Sequence, residues 1–351
     1  MVCHVSETDK EASIPPSLEE VIMRKLTHLV KAERDMLGPV MKEFYDLFFY
    51  DRSGMLPCTT KGFHEIKTGD ALPIKNSYKV PCALRAEMKR QLDEMIQRGV
   101  ITPSCSEWAA PVLLVKKKSV VGSPKFRFCT DFRGLNAVTK IPVYPVPDIK
   151  RNLLLMAGSR YFTLLDIESA YWHIPIHPDD KDKTGFVTPF WSFRYETLAY
   201  GLAGAPSNFQ KIMDVTLMGL KDICALVYLD DILIFSNTIQ EHARRIRMVL
   251  DRIREAKFKL NLDKCTFAAR EVAYLGHLVS TNGVSPDASK VEAIKPFPLP
   301  RTLRDVREFL GLAGYYRSFI PNVAALSKPL TLLTRRLNFV GRNRNRLPLM
   351  L

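Results

Sequence analysis

Asp230 and Asp231 stand side by side in LVYLDDILIFS, residues 226–236, with apolar residues on either side. A buried carboxylate without a partner is costly, so such a pair calls for a cation, a donor or a proton. The flanks read as two strands, which puts the acids at the tip of a tight hairpin. Successive strand residues face opposite ways, so only a distorted turn aims both carboxylates to one side. The stretch alone suits a solvated Asp-containing turn equally well, because Asp favours turns. A third acid separates the two readings. Asp166 falls near the end of YFTLLDI, residues 161–167, a strand of the same apolar type. If the two strands are sheet neighbours, three carboxylates converge on one edge. Hard divalent ions with oxygen ligands relieve the resulting repulsion, and Mg²⁺ is the usual choice where phosphates share the coordination shell. Two such ions about 3.5–4 Å apart stabilise the attacking and leaving oxygens of a phosphoryl transfer. Nucleotidyl transfer is the chemistry this triad suggests.

Two further stretches supply what that reaction requires. VKKK, residues 115–118, and Arg127 lie near the two strands before Asp166, where they could clamp a triphosphate. YGLAGAPSNFQ, residues 200–210, sets small residues ahead of a helix, which lets a nucleotide approach the backbone and favours phosphate at the helix start. Taken singly, the lysine run suits a solvated hairpin and the Gly-Ala run an ordinary loop.

The elements that must position these residues follow from periodicity. Ser17 to Glu20 is a capping box opening a helix through about residue 34. A second amphipathic stretch covers Val40 to Phe49, and residues 51–61 read as a linker. Leu84, Met88, Leu92 and Ile96 recur at helical spacing, with Gly99 as the stop. APVLLVKK, KFRFCTDF, SFRYETLAY and EVAYLGHLVS each read as one strand, and 206–219 and 240–257 as helices. Beyond residue 285 the pattern is helical at 287–294, 302–313 and about 323–335. The whole is a mixed α+β body followed by a small helical module.

Bulk properties agree. The 351 residues are 46% hydrophobic and 25% charged, an ordinary globular mix with room for two or three domains. No run of 18 apolar residues suggests a membrane span, and the first residues lack the apolar core of a signal peptide. Seven scattered cysteines without Cys-x-x-Cys spacing argue against a disulfide framework or a zinc site and for a reducing compartment. The net charge of +14 points to a polyanionic partner, nucleic acid or an anionic membrane.

The order and spacing of GVITPSCSEWAAPVLLVKKK, FRFCTDFRGLNAVT, YFTLLDIESAYWHIPI, KTGFVTPFWSFRYETLAYGLAGAPSNFQ, LVYLDDILIFS, LNLDKCTF, AYLGHLVSTNGVSPDASKVEAI and REFLGLAGYYRSFIPNVAALSKPLTLL resemble the reverse transcriptase segment of gypsy-type LTR retrotransposon Pol polyproteins, from about His64 to about Arg336. The resemblance implies a right-hand polymerase with an antiparallel palm sheet backed by helices. It places an N-terminal helical extension and linker at 1–61, fingers at 62–145 completed by about 174–204, palm at 146–280, a thumb-like helical module at 281–336 and a divergent tail at 337–351. It implies that Asp166, Asp230 and Asp231 bind two Mg²⁺ ions, with Mn²⁺ as a substitute, and that the Ile167 carbonyl joins them. Tyr171 takes the place of the steric gate against a ribose 2′-OH; a core tyrosine is the alternative. Arg127 matches the arginine on the incoming triphosphate, and Lys117 stands for a choice among Lys116, Lys117 and Lys118. Tyr200 and Gly201 flank the nascent base pair. Lys264 is a candidate acid for the leaving pyrophosphate, or else a solvated lysine. Leu275, Gly276 and His277 match the primer grip, with a surface histidine as the alternative for His277. His173 stands where relatives usually carry Gln.

The expected activity is RNA-directed DNA polymerisation on an RNA or DNA template with primer and dNTPs, in the cytoplasm or element particles with access to the nucleus. The basic helices at 240–257 and 302–335 are candidate duplex-binding surfaces. The match fades after LTLLTRRLNFV, so the chain reads as a piece of Pol lacking RNase H. A non-catalytic nucleic-acid-binding remnant and a structural assembly protein are the competing readings.

Overall fold

The computed structural model describes residues 18–48, 54–116, 126–145, 147–294 and 296–335. The chain divides into two compact units, Met1–Arg270 and Glu271–Leu351. The first opens with helices α1 (Leu18–Lys25), α2 (Lys31–Glu43) and α3 (Cys82–Gln97), then strands β1 (Ile101–Pro103), β2 (Val112–Lys116) and β3 (Phe126–Thr130). Helices α4 (Arg133–Val138) and α5 (Ile149–Leu155) lead into β4 (Tyr161–Asp166), β5 (Phe186–Val187) and β6 (Ser192–Tyr195). Helix α6 (Ala205–Thr216), strands β7 (Ala225–Tyr228) and β8 (Asp231–Ser236), helix α7 (Ile239–Glu255) and strand β9 (Thr266–Ala269) complete it.

The central sheet is antiparallel in the order β7-β8-β4-β9. Its register sets Asp166 directly opposite Asp231, and Tyr228 opposite Asp231 on the other side. Two smaller sheets, β1-β6-β5 and β2-β3, take up the other strands of the unit. Helix α7 covers one face of the central sheet. Its His242 is fully buried and bonds Thr163 on β4 through Nε2 (2.8 Å) and Ser236 on β8 through Nδ1 (2.9 Å). Thr163 and Ser236 are odd numbers of residues from Asp166 and Asp231, so alternation places the two acids on the opposite face from α7. Helix 240–257 is therefore not a duplex surface beside the acids. Three of its arginines are also engaged within the unit: Arg247 pairs with Glu43 (2.8 Å), Arg254 with Asp46 and Arg245 with Glu241 (2.6 Å).

The expected single helix through about residue 34 is two. The Thr27 hydroxyl donates to the Arg24 carbonyl (2.9 Å), an acceptor the helix would otherwise use, and the chain turns before α2. That turn lets Ile22, Leu26, Leu29, Leu37, Val40, Met41 and Phe44 enter the same buried cluster as β4, α6 and α7. The edge of this segment also touches the sheet: the Leu260 N–H donates to the Leu47 carbonyl (2.8 Å), and Leu260 bridges in turn to Ile167.

The second unit holds the antiparallel sheet β10 (Glu271–Tyr274), β11 (His277–Ser280) and β12 (Gly283–Pro286), then α8 (Ala288–Ile294), α9 (Leu303–Tyr315) and α10 (Val323–Arg335). EVAYLGHLVS, read above as one strand, is a hairpin. Leu275 and Gly276 form its two-residue loop with φ of 48° and 75°, the positive pair that a right-twisted hairpin demands.

Burial holds His242 down to about 3 and His64 to about 4, below the ordinary value of 6.5. The unfolded chain therefore takes up protons that the folded chain refuses. The stability these neutral histidines contribute is complete above about pH 6.5 and is lost as pH falls towards 4. The urea midpoint should drop between about pH 7 and 5, and His242→Gln should flatten that drop; an unchanged slope in the variant would remove His242 from the account.

Candidate active site

The Asp230–Asp231 tip is a two-residue β-turn. Leu229 is its first loop residue and sits at φ 55°, a conformation L side chains resist. Gln210 offsets this. It is fully buried on α6, its Oε1 accepts the Leu229 N–H at 2.8 Å, and its Nε2 donates to Asp214 at 2.8 Å. Asp214 is held in turn by Lys221 (2.7 Å) and the Tyr144 hydroxyl (2.8 Å). Asp231 begins β8 and shares its sheet face with Asp166, because directly paired residues point the same way.

The carboxylates feel one another. Burial, then the charges of Asp230 and Asp166, push Asp231 up to about 6. Burial raises Asp166 too, against the pull of Lys264, whose Nζ is 3.0 Å from both carboxylate oxygens. Among the described residues, no three His, Cys, Asp or Glu side chains gather closely enough to grip an ion as they stand. The donor set nevertheless fits a hard divalent cation: three carboxylates within electrostatic reach, and a cationic side chain already answering one of them.

Around the acids, Tyr171 follows in the short 3₁₀ turn Ala170–His173, its ring 4.9 Å from Tyr200 and 5.6 Å from Phe209. Burial and then the Asp230 charge raise its hydroxyl, which places the ring within reach of the acidic tip. Tyr200 is 52% exposed. Gly201 has φ 95° and its carbonyl accepts from Asn136 (2.8 Å), while the same side chain accepts the Ala203 N–H (2.7 Å). Asn136 on α4 thereby fixes the small-residue loop before α6. Arg127 is exposed on β3 opposite Val115, one position from Lys116 and Phe126. Lys117 and Lys118 lie outside the described residues. Ile167 is buried. His173 is buried as well, with its ring nitrogens 2.8 Å from the Pro57 carbonyl and 3.0 Å from that of Glu168.

In the second unit, the Tyr315 hydroxyl donates to the Leu275 carbonyl and the Tyr316 hydroxyl to that of Gly276 (3.1 Å). His277 is buried against Tyr315, Tyr316 and Phe319, so it is not a surface histidine.

A family model described as Reverse transcriptase (RNA-dependent DNA polymerase) matches residues 115–279, the span that contains all three acids, Arg127, Tyr171, Lys264 and the 275–277 turn. Over most of its length the chain is similar to gypsy-type Pol reverse transcriptases. It is 37% identical over 306 residues to the retrovirus-related Pol polyprotein from transposon opus of Drosophila melanogaster, covering 87% of this chain and 30% of the relative. Against the Pol polyprotein from transposon gypsy of the same organism it is 34% identical over 301 residues, 83% of this chain and 29% of the relative. The chain spans about 30% of the length of these polyproteins. Its fold is that of a solved foamy viral protease-reverse transcriptase in complex with double-stranded DNA, at TM-score 0.82 and 22% identity over 92% of this chain and 56% of that one. A second structure, the same viral protein with an RNA/DNA hybrid, gives TM-score 0.77 and 22% identity over 91% of this chain and 42% of the other.

Several residues that shape this site were not singled out by sequence reasoning. Gln210 and Asn136 are buried or inward amides that serve backbone groups of neighbouring loops, and an isolated Gln in an apolar helix such as SNFQKIM was the available signal. Tyr315 and Tyr316 lie 40 residues from the carbonyls they hold, beyond any local pattern.

Three ionised carboxylates on one sheet edge oppose folding when no divalent cation is bound. Asp231→Asn should raise the metal-free melting temperature by about 2 °C at neutral pH. Mg²⁺ at about 10 mM should raise the wild-type value and leave the variant nearly unmoved. A variant that still gains the full Mg²⁺ increment would exclude Asp231 from ion binding.

Proposed function

We propose that the chain is an RNA-directed DNA polymerase that extends a primer 3′-OH with dNTPs on an RNA or DNA template. The observation that carries this reading is the antiparallel register that sets Asp166 opposite Asp231 with Asp230 in the adjoining turn. Asp166, Asp230 and Asp231, with the Ile167 carbonyl, would hold Mg²⁺ or Mn²⁺. When bound, the ions supply positive charge to the phosphate oxygens and the attacking hydroxyl.

The chain's own residues do the rest. The 3′-OH attacks the α-phosphate in line and pyrophosphate leaves. Arg127, with a lysine of the 116–118 run, orients the triphosphate. Tyr171 packs where a ribose 2′-OH would project, supported by Tyr200 and Gly201. Lys264 neutralises Asp166 in the absence of ions and is free, once they bind, to donate a proton towards the leaving pyrophosphate. The Leu275–Gly276–His277 turn holds the primer terminus. Residues 62–145 with 174–204 form the fingers, 146–280 the palm, whose 271–280 hairpin packs within the second compact unit, and 281–336 the thumb-like module. Template sequence is read by base pairing, so the protein grips backbone and shape, and binding weakens with salt. No helix among the described residues is long and apolar enough to cross a membrane.

Primer extension on an RNA template tests the reading. Asp230→Asn should lower extension by at least about 1000-fold while leaving template–primer affinity within about twofold. Equal extension by the variant would refute the metal assignment, and duplex binding without extension by the wild type would favour a non-catalytic remnant. Tyr171→Ala should admit ribonucleotides; undiminished preference for dNTPs would remove Tyr171 from the sugar-facing role.

A further inference from the structure

A buried ion pair lies two residues beyond Asp166. Arg98, which caps the C-terminal end of α3, and Glu168 have side-chain exposures of 3% and 7%, with Nη2 and Oε1 3.5 Å apart. Glu168 is further engaged. Its Oε1 accepts from the Ser169 hydroxyl (3.0 Å) and its Oε2 from the Asn261 amide (2.8 Å). Arg98 Nη1 reaches Ser169 Oγ at 3.4 Å, and the guanidinium lies 5.3 Å from the Trp172 ring centre. The backbone repeats the connection. The Glu168 N–H donates to the Lys259 carbonyl and the Asn261 N–H to the Asp166 carbonyl, each at 2.9 Å.

This network clamps one short stretch of chain. It begins at Asp166, passes through Ser169, a non-glycine residue at φ 47°, and ends in the 3₁₀ turn that carries Tyr171. A left-handed serine persists only where its surroundings impose it, and here the ion pair and Asn261 do so. Charges taken out of water seldom stabilise a fold more than well-packed apolar groups of the same size would. Placement is what a charged, directional network adds that an apolar pair would not.

We propose that Arg98 and Glu168 are positioning residues that fix Tyr171 relative to Asp166, and so set how well the site discriminates deoxyribonucleotides from ribonucleotides. The proposal rests on the polymerase reading above. It assigns a specificity function to two residues that touch neither substrate nor ion.

The test replaces the pair with apolar groups, Arg98→Met with Glu168→Leu, in the full chain. Melting temperature, template–primer affinity, and kcat and KM for a single dNTP and the matching rNTP are measured. The double variant should fold and bind template–primer within about twofold of wild type, yet show a KM for dNTP raised about tenfold and a dNTP-to-rNTP preference lowered about tenfold, because small displacements at a reacting centre have large kinetic effects. If the double variant does not fold, Asn261→Ala decides, since it removes one carboxylate donor and leaves both charges in place; a loss of preference of about threefold is expected. A folded double variant with unchanged KM and preference overturns the inference, as does an unchanged Asn261→Ala where the double variant fails. A wild-type chain that extends no primer overturns the polymerase reading itself, and this one with it.

Discussion

Mutual repulsion among Asp166, Asp230 and Asp231 is the constraint to which the first unit is built. An apolar sheet is a poor solvent for three negative charges, and the raised Asp231 and Asp166 record that strain. Lys264 answers part of it by placing its ammonium against both oxygens of Asp166. A cation of higher charge density would answer more, and a tip that attracts such ions is the property a nucleotidyl-transfer site needs. The charge that makes the tip useful also makes it unwilling to stay in place.

Buried polar side chains resolve that conflict by holding the backbone beside each acid. Gln210 takes the N–H of the left-handed Leu229 immediately before Asp230, and the Asn261 side chain donates to Glu168, two residues after Asp166. Glu168 and Arg98 hold the left-handed Ser169. Each support comes from a different element: α6, the segment before β9, and the end of α3. Helix α7 packs on the face opposite the acids and binds the sheet through His242. The N-terminal helices join the same core and end on the strand-like segment 259–261, so the part of the chain most remote in sequence from Asp166 still bears on its surroundings.

The second unit uses a related device. A Leu-Gly loop with two positive φ values is an uncommon choice, because leucine resists the left-handed region. Two tyrosine hydroxyls from the end of α9 and the residue after it hold its two carbonyls, and His277 packs among the rings beside them. A side chain added at Gly276 would come within 3.2 Å of the Tyr316 hydroxyl, so that glycine serves the close approach as well as the turn.

Local sequence determined much of this. Alternating and apolar runs marked β4, β7 and β8. Helical spacing marked α3, α6 and α7, and the adjacent aspartates marked the hairpin tip, because periods of two and 3.6 residues and turn chemistry are properties of neighbouring residues. The sequence did not show that EVAYLGHLVS folds back on itself, since leucine is not a turn residue and only the distant tyrosines make it one. Nor did it show that Arg247 and Arg254 of α7 are bound to Glu43 and Asp46 on the face away from the acids. Which carboxylate faces which, and which amide or ion pair holds it there, depends on strand register and on partners up to a hundred residues away. Those are decided only when one core closes around all of them, because hydrogen bonds and ion pairs act through distance in space and leave no period in the chain.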